Sequence, residues 1–163
     1  MAEYRLQALL QIRERAEEQA KEAFARAVQQ VREEEAFLKE LEGELQRMIE
    51  DRHRRRKEYS DKLASGQMKI LDQAAASRFV ERLKELEAEQ QGRIDGQRDT
   101  VREAEKLAKR AQDALIAASQ DLKALVKHKE KWAEERRRER MMKDEEMLDE
   151  IAQTIHQQQG KDS

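Results

Sequence analysis

Apolar residues recur along the first part of the chain at alternating steps of three and four. Leu6, Leu10, Ala20, Phe24, Ala27, Val31, Leu38, Leu41, Leu45, Met48 and Tyr59 share this seam. That spacing places them on one stripe of a helix winding against another helix. Arg13, Glu17, Glu34, Arg52 and Arg55 fall on the same stripe and interrupt it. A second seam runs through Phe79, Leu83, Leu86, Ile94, Val101, Ala104, Ala108, Ala111, Leu115, Ala118, Leu122, Leu125 and Trp132, with a slip of register between Leu86 and Ile94. Between the seams lies Ser65-Gly66, the strongest break in a chain without proline.

The pattern predicts an all-α chain. Helix 1 covers about 3–63, a turn about 64–69, helix 2 about 70–157, and a frayed polar tail 158–163. Asp72 is the expected N-cap of helix 2, and Ile70 and Leu71 are expected to pack over the turn. So short a link makes the helices antiparallel neighbours. The expected fold is a long two-helix antiparallel coiled-coil hairpin, a single rod whose longer C-terminal helix overhangs the paired region. With the turn at Gly66, Leu6 comes level with His128 and Leu41 with Arg93. Residues from Ala133 onward then have no partner on helix 1. There Met141, Leu148 and Ile155 are spaced by sevens with Ile151 between them, out of phase with the seam ending at Trp132. An apolar stripe without an intramolecular partner points to an intermolecular one. Gly43 comes level with Gly92, and Gly96 lies one turn away. Two readings of the three stay open: a soft point in the helices, or surface glycines that are merely tolerated.

Composition narrows the function. Charged residues make up 43% of the 163 and aromatics 4%, with Pro 0 and Cys 0. A mean hydropathy of -1.11 leaves a narrow seam rather than a thick core. Net charge is -2, from 34 basic and 36 acidic residues interleaved. A phosphate-backbone binder carries a clear basic excess, so no nucleic-acid partner is expected. No apolar run approaches the ~20 residues of a membrane span, and direct membrane insertion is not expected. The opening Met1-Ala-Glu-Tyr-Arg is charged and has no secretory h-region. A cytoplasmic setting fits.

Candidate chemistry is sparse. His53, His128 and His156 are far apart and lack cysteine partners, so no metal site is expected. The many carboxylates read as solvated i,i+4 partners, with no cleft to tune them for acid–base work. No phosphate-binding Gly-x-x-x-x-Gly-Lys motif is present. Gly92-Arg-Ile-Asp-Gly96 has the spacing of membrane helix pairs but sits among charges. The expectation is a non-enzyme without cofactor. Two basic clusters stand out, His53-Arg-Arg-Arg-Lys57 and Arg136-Arg-Arg-Glu-Arg140. Either could be a solvated face. The second adjoins the unpaired Met141 stripe, which favours an acidic, partly apolar protein surface.

The opening Tyr4-Arg-Leu-Gln-Ala-Leu-Leu-Gln-Ile-Arg-Glu14 resembles that of the flagellar export protein FliJ family, as do Glu17-Glu-Gln-Ala20 and the alanine-rich turn after it. Ser65-Gly66 followed by Phe79, Leu83 and Leu86 resembles the family's turn and second helix. Leu148-Asp-Glu-Ile-Ala152 resembles its end motif. The resemblance covers essentially the whole chain and extends to the YscO-like stalks of virulence secretion systems, with the opening leaning toward the flagellar branch. It implies a cytoplasmic stalk, peripheral at the cytoplasmic face of the membrane export apparatus. The end carrying both termini would insert into the hexameric export ATPase ring and promote its assembly and activity. The other part would contact the cytoplasmic domain of the export-gate membrane protein, and escort of export chaperones is also implied. For the ring, the implied residues are Tyr4, Leu6, Arg136, Arg137, Arg138, Arg140, Met141, Leu148, Ile151 and Ile155. For the gate they are Arg52, Arg55, Tyr59, Phe79, Leu83 and Leu86. Family members often carry more aromatics on helix 1 near the turn. This chain offers Tyr59 beside Arg52 to Arg56, so its gate contact is expected to be more electrostatic. The alternative is a generic coiled-coil scaffold without an ATPase partner. A further rival pairs two chains along extended helices; the hairpin is expected to be a monomer.

Overall fold

The computed structural model describes residues 3–161. Two long helices, α1 (Gln7–Ala64) and α2 (Ile70–Lys161), pack against each other as an antiparallel coiled-coil hairpin. Contacts divide the chain into two compact units: Glu22–Asp113, and Met1–Lys21 with Ala114–Ser163.

In the unit Glu22–Asp113 the turn is closed by backbone chemistry. The Gln67 N–H donates to Lys62 O at 3.0 Å and the Gly66 N–H to Leu63 O at 3.2 Å. These paired bonds form a Schellman cap, which satisfies the last carbonyls of α1. The cap needs a left-handed residue, and Gly66 supplies it with φ 73°. Helix α2 then begins with Lys69 at its N-cap. The Asp72 carboxylate accepts the Lys69 N–H at 3.3 Å. Asp72 is therefore not the N-cap but the residue three positions on, which reaches back as half of a capping box. Ile70 and Leu71 do not pack over the turn either, since both are 83% exposed. They occupy the first two helical positions and point away, while half-buried Met68 borders the end of the seam with Tyr59, Leu63 and Val80.

The α1 seam is recovered, interruptions included. Phe24, Ala27, Val31, Glu34, Leu38, Leu45, Met48, Arg52, Arg55 and Tyr59 are half-buried and Leu41 is buried. On α2, Ile94 is 1% exposed, and Val101 and Ala104 are buried with it. The expected register slip between Leu86 and Ile94 resolves into polar layers. The seam passes through Ala76, Val80, Leu83, Glu87, Gln90, Ile94 and Gln97. Phe79 thus gives its place to Val80 and stands 38% exposed, and Glu87 is buried beside half-buried Leu86. Each buried polar group finds a partner, as low local dielectric demands. Glu87 accepts from Arg52 Nε at 2.7 Å. The Gln90 amide donates to Leu41 O at 3.0 Å and to Glu44 at 3.1 Å. The Gln97 amide donates to Glu34 O at 3.0 Å and to the Glu34 carboxylate.

In the other unit, α1 starts after a turn in which the Gln7 N–H donates to Tyr4 O at 3.0 Å. That is later than the expected start near residue 3. Arg13 pairs with Asp121 at 3.5 Å, and Lys129 donates to Gln7 at 2.8 Å. Glu17 pairs with Lys21 at 3.0 Å. Leu10 is buried, and Leu115, Leu122, Leu125 and Trp132 are half-buried opposite. From residue 137 to 161 every residue is exposed. The polar segment expected to fray from residue 158 is helical through Lys161. Gln and Lys are good helix formers there and offset the single Gly160. Residues 162 and 163 lie outside the described residues.

Candidate functional site

The residues singled out for the ATPase ring fall into two groups in the structure. Tyr4 is buried rather than presented. Its ring lies 5.2 Å from Trp132 and 5.7 Å from His128 by centroids, and its hydroxyl shares a hydrogen bond with His128 Nδ1. Lys129 Nζ sits 5.9 Å over the Tyr4 ring, and Arg136 lies 5.8 Å over Trp132. Leu6 borders the same cleft as His128 and Trp132, the level the hairpin register requires. Tyr4 is an anchor that fastens the start of the chain to α2 through an aromatic pair. His128 and Lys129 were missed as site residues, although the expected pairing already placed His128 opposite Leu6.

The second group stands free. Arg138 pairs with Glu134 at 2.9 Å, one turn back on α2. Arg137 and Arg140 have no ion-pair partner among the described residues. Met141, Leu148, Ile151 and Ile155 are 49% to 65% exposed, and Met142 and Met147 add to them. Among the described residues nothing covers this stripe, and Arg136, over Trp132, lies just before it on α2.

The residues singled out for the gate are mostly engaged within the hairpin. Arg52 lies in the seam, bridged to Glu87. Arg55 donates to Asp51 at 2.9 Å and stacks over Phe79 with its guanidinium 5.2 Å from the ring centroid. Leu83 and Leu86 are half-buried. The Arg54 guanidinium, then that of Arg55, holds the Asp51 carboxyl below its ordinary range. Tyr59 borders an open cleft of about 260 Å³ with Arg56, Leu63, Met68 and Val80. Of this set, Phe79 is the large apolar residue left exposed.

A family model described as YscO-like protein matches residues 1–162. The chain belongs to the YscO-like family. The YscO-like match bears out the FliJ/YscO-type relationship read from Tyr4–Glu14 and the turn, and it places the chain in a family of structural secretion components. A Chlamydia trachomatis protein, CT670, described as a YscO homolog, has a solved structure that superposes with a TM-score of 0.85 at 20% identity, covering 100% of both chains. At that identity the likeness speaks for the fold, and the YscO-like hairpin is the fold they share. A search of curated proteins returns no match.

Proposed function

We propose that this YscO-like chain is the stalk of a type III export apparatus. Its α2 segment beyond Trp132 engages the hexameric export ATPase ring, promoting ring assembly and activity. The observation that carries this reading is the helix from 137 to 161. It is exposed on all sides yet carries an apolar stripe of Met141, Leu148, Ile151 and Ile155 beside Arg137 and Arg140. A helix that long without tertiary support is marginal in water, so a partner that covers the stripe also stabilises the helix. Tyr4, Leu6 and Arg136 act one step back, holding the start of the chain against Trp132. The contact with the cytoplasmic domain of the gate falls to Phe79 with Arg55 and Tyr59. Arg52, Leu83 and Leu86 hold that surface in place. ATP chemistry stays with the ring, and the stalk biases ring conformations only as far as it binds them unequally. Escort of export chaperones belongs to the same proposal.

ATP hydrolysis by the cognate export ATPase, measured with and without the chain, tests this. The intact chain is expected to raise turnover. A full-length Met141→Ser/Leu148→Ser/Ile151→Ser variant, checked for retained binding of its gate partner, is expected to lose most of that rise. No stimulation by the intact chain, or equal stimulation by both, removes the ring contact from the function.

A further inference from the structure

Apolar side chains in a coiled coil repeat every seven residues, so by themselves they fit together at several levels one heptad apart. In the unit Glu22–Asp113 the apolar repeat is broken by buried polar groups at 87, 90 and 97 of α2. Glu87 accepts from Arg52 Nε at 2.7 Å, and both side chains lie in the seam. The Gln90 amide donates to Leu41 O and Glu44, and the Gln97 amide to Glu34 O and the Glu34 carboxylate. The turn does not settle the level alone. A slide of one heptad moves the turn by about half a heptad along the chain, and the Gly66 cap opposes that only through one left-handed residue.

Sliding α2 by one heptad tests each polar group in turn. In one direction Gln90 takes the place of Gln97 opposite Glu34 and keeps a partner. Glu87 then takes the place of Ile94, the 1% exposed centre of the seam between the levels of Glu34 and Leu41, and Val80 arrives opposite Arg52. In the other direction Gln97 takes the place of Gln90 opposite Glu44 and keeps a partner. Glu87 then takes the place of buried Val80, where Arg56 borders the cleft, and Ile94 arrives opposite Arg52. The glutamines therefore tolerate either slide, whereas each slide leaves Arg52 facing an aliphatic side chain. A parallel pairing of two copies fares worse, since it sets Arg52 against Arg52 and Glu87 against Glu87. A charge held in a seam without its partner is strongly destabilising.

We propose that the Arg52–Glu87 pair is the register key of the hairpin. It holds α1 against α2 at one level and excludes both slipped pairing and parallel pairing with a second copy. Its role is to select among pairings, since a buried ion pair adds little stability over aliphatic side chains of similar size. A single polar layer fixing the level and the number of strands is an established use of such groups in coiled coils. Here the need is plain: α1 and α2 each carry a long seam of Leu, Val and Ala that would otherwise accept another like it. The antiparallel arrangement with opposite charges at one level is satisfied within one chain, and the short turn delivers it there.

Cysteine cross-linking of the full chain reads the level directly, because the chain has Cys 0. Arg98 faces Glu42 at 3.6 Å, so Glu42→Cys/Arg98→Cys reports the native level. Glu42→Cys with Gln91→Cys or with Glu105→Cys reports the two slides, since 91 and 105 lie one heptad to either side of 98. With a short bis-maleimide, the parent background is expected to link 42 to 98 roughly tenfold or more faster than to 91 or 105, and light scattering to give a monomer. In the Arg52→Leu/Glu87→Leu background that preference is expected to fall severalfold, or a concentration-dependent dimer to appear, while urea unfolding occurs no earlier than in the parent. The charge-swapped background Arg52→Glu/Glu87→Arg is expected to restore the preference and the monomer, which a role in packing alone would not do. The proposal is overturned if Arg52→Leu/Glu87→Leu keeps both the cross-linking preference and the molar mass of the parent. It is overturned equally if the charge swap slips or dimerises as the leucine pair does.

Discussion

Arg52 and Glu87 occupy facing seam positions where a coiled coil ordinarily places aliphatic side chains. Their side chains are only 14% and 11% exposed and meet at 2.7 Å. Burying both charges carries a desolvation penalty that their attraction roughly offsets, whereas removing one partner strands the other. Glu87→Gln is therefore expected to lower stability by about 2 kcal/mol, and Arg52→Leu/Glu87→Leu to leave it near that of the parent or above. Urea unfolding of the three chains checks this, and equal stability of parent and Glu87→Gln would show that the pair contributes nothing. The neighbouring Arg54 and Arg55 differ. Their bonds to Asp51 are largely solvent-exposed and contribute little in salt. What was legible at this scale was the position of Arg52 on the seam. Its partner was not, because Glu87 belongs to the apolar stripe only after the seam shifts from Phe79 to Val80.

At the scale of the element, helix ends and glycines decide the details. Gly66 adopts φ 73° within the Schellman cap. Gly66→Ala is expected to destabilise the hairpin by about 1–2 kcal/mol, the cost of a left-handed alanine. Gly92 and Gly96 present the opposite case. A Cβ at either meets nothing within 4 Å, and both lie inside α2. Gly92→Ala and Gly96→Ala are each expected to stabilise by about 1 kcal/mol through helix propensity alone. Thermal melts of the three variants read both signs. A gain at Gly92 and Gly96 identifies them as helix weak points that packing does not require. The Ser65-Gly66 break was readable directly, since only glycine takes that backbone without strain. The capping arrangement was not. Asp72 is a good capping residue at several positions, and which one it takes depends on where the turn delivers the chain.

For the whole molecule, burial is uneven. The unit Glu22–Asp113 holds Leu41, Val80, Ile94, Val101 and Ala104 as buried apolar residues, while the other unit holds Tyr4 and Leu10. Residues 137 to 161 are exposed along the whole of their length. Local opening free energies follow buried contacts. Amide hydrogen exchange is therefore expected to be slowest around Ile94 to Ala104 and fastest in residues 137 to 161, within the range of an isolated helix. Uniform protection along α2 would mean that the terminal segment is covered by a partner, a second copy included.

The spacing of Leu, Val, Ala and Ile determined by itself that the chain is two helices in an antiparallel hairpin. Period, glycine break and short link each leave one solution, because an apolar stripe in water must be covered and the nearest stripe is its own continuation. The opening Tyr4-Arg-Leu-Gln and the motifs after it determined the family. Only tertiary structure decided which residues near the turn are free. It turned Phe79 out and Val80 in, tied Arg52 to Glu87, buried Tyr4 against Trp132, and left Ile70 and Leu71 in solvent. Those outcomes depend on how two helical stripes meet at a given level. A shift of one position between neighbouring residues on a helix exchanges a core contact for an exposed one, and the periodic pattern is satisfied nearly as well by either.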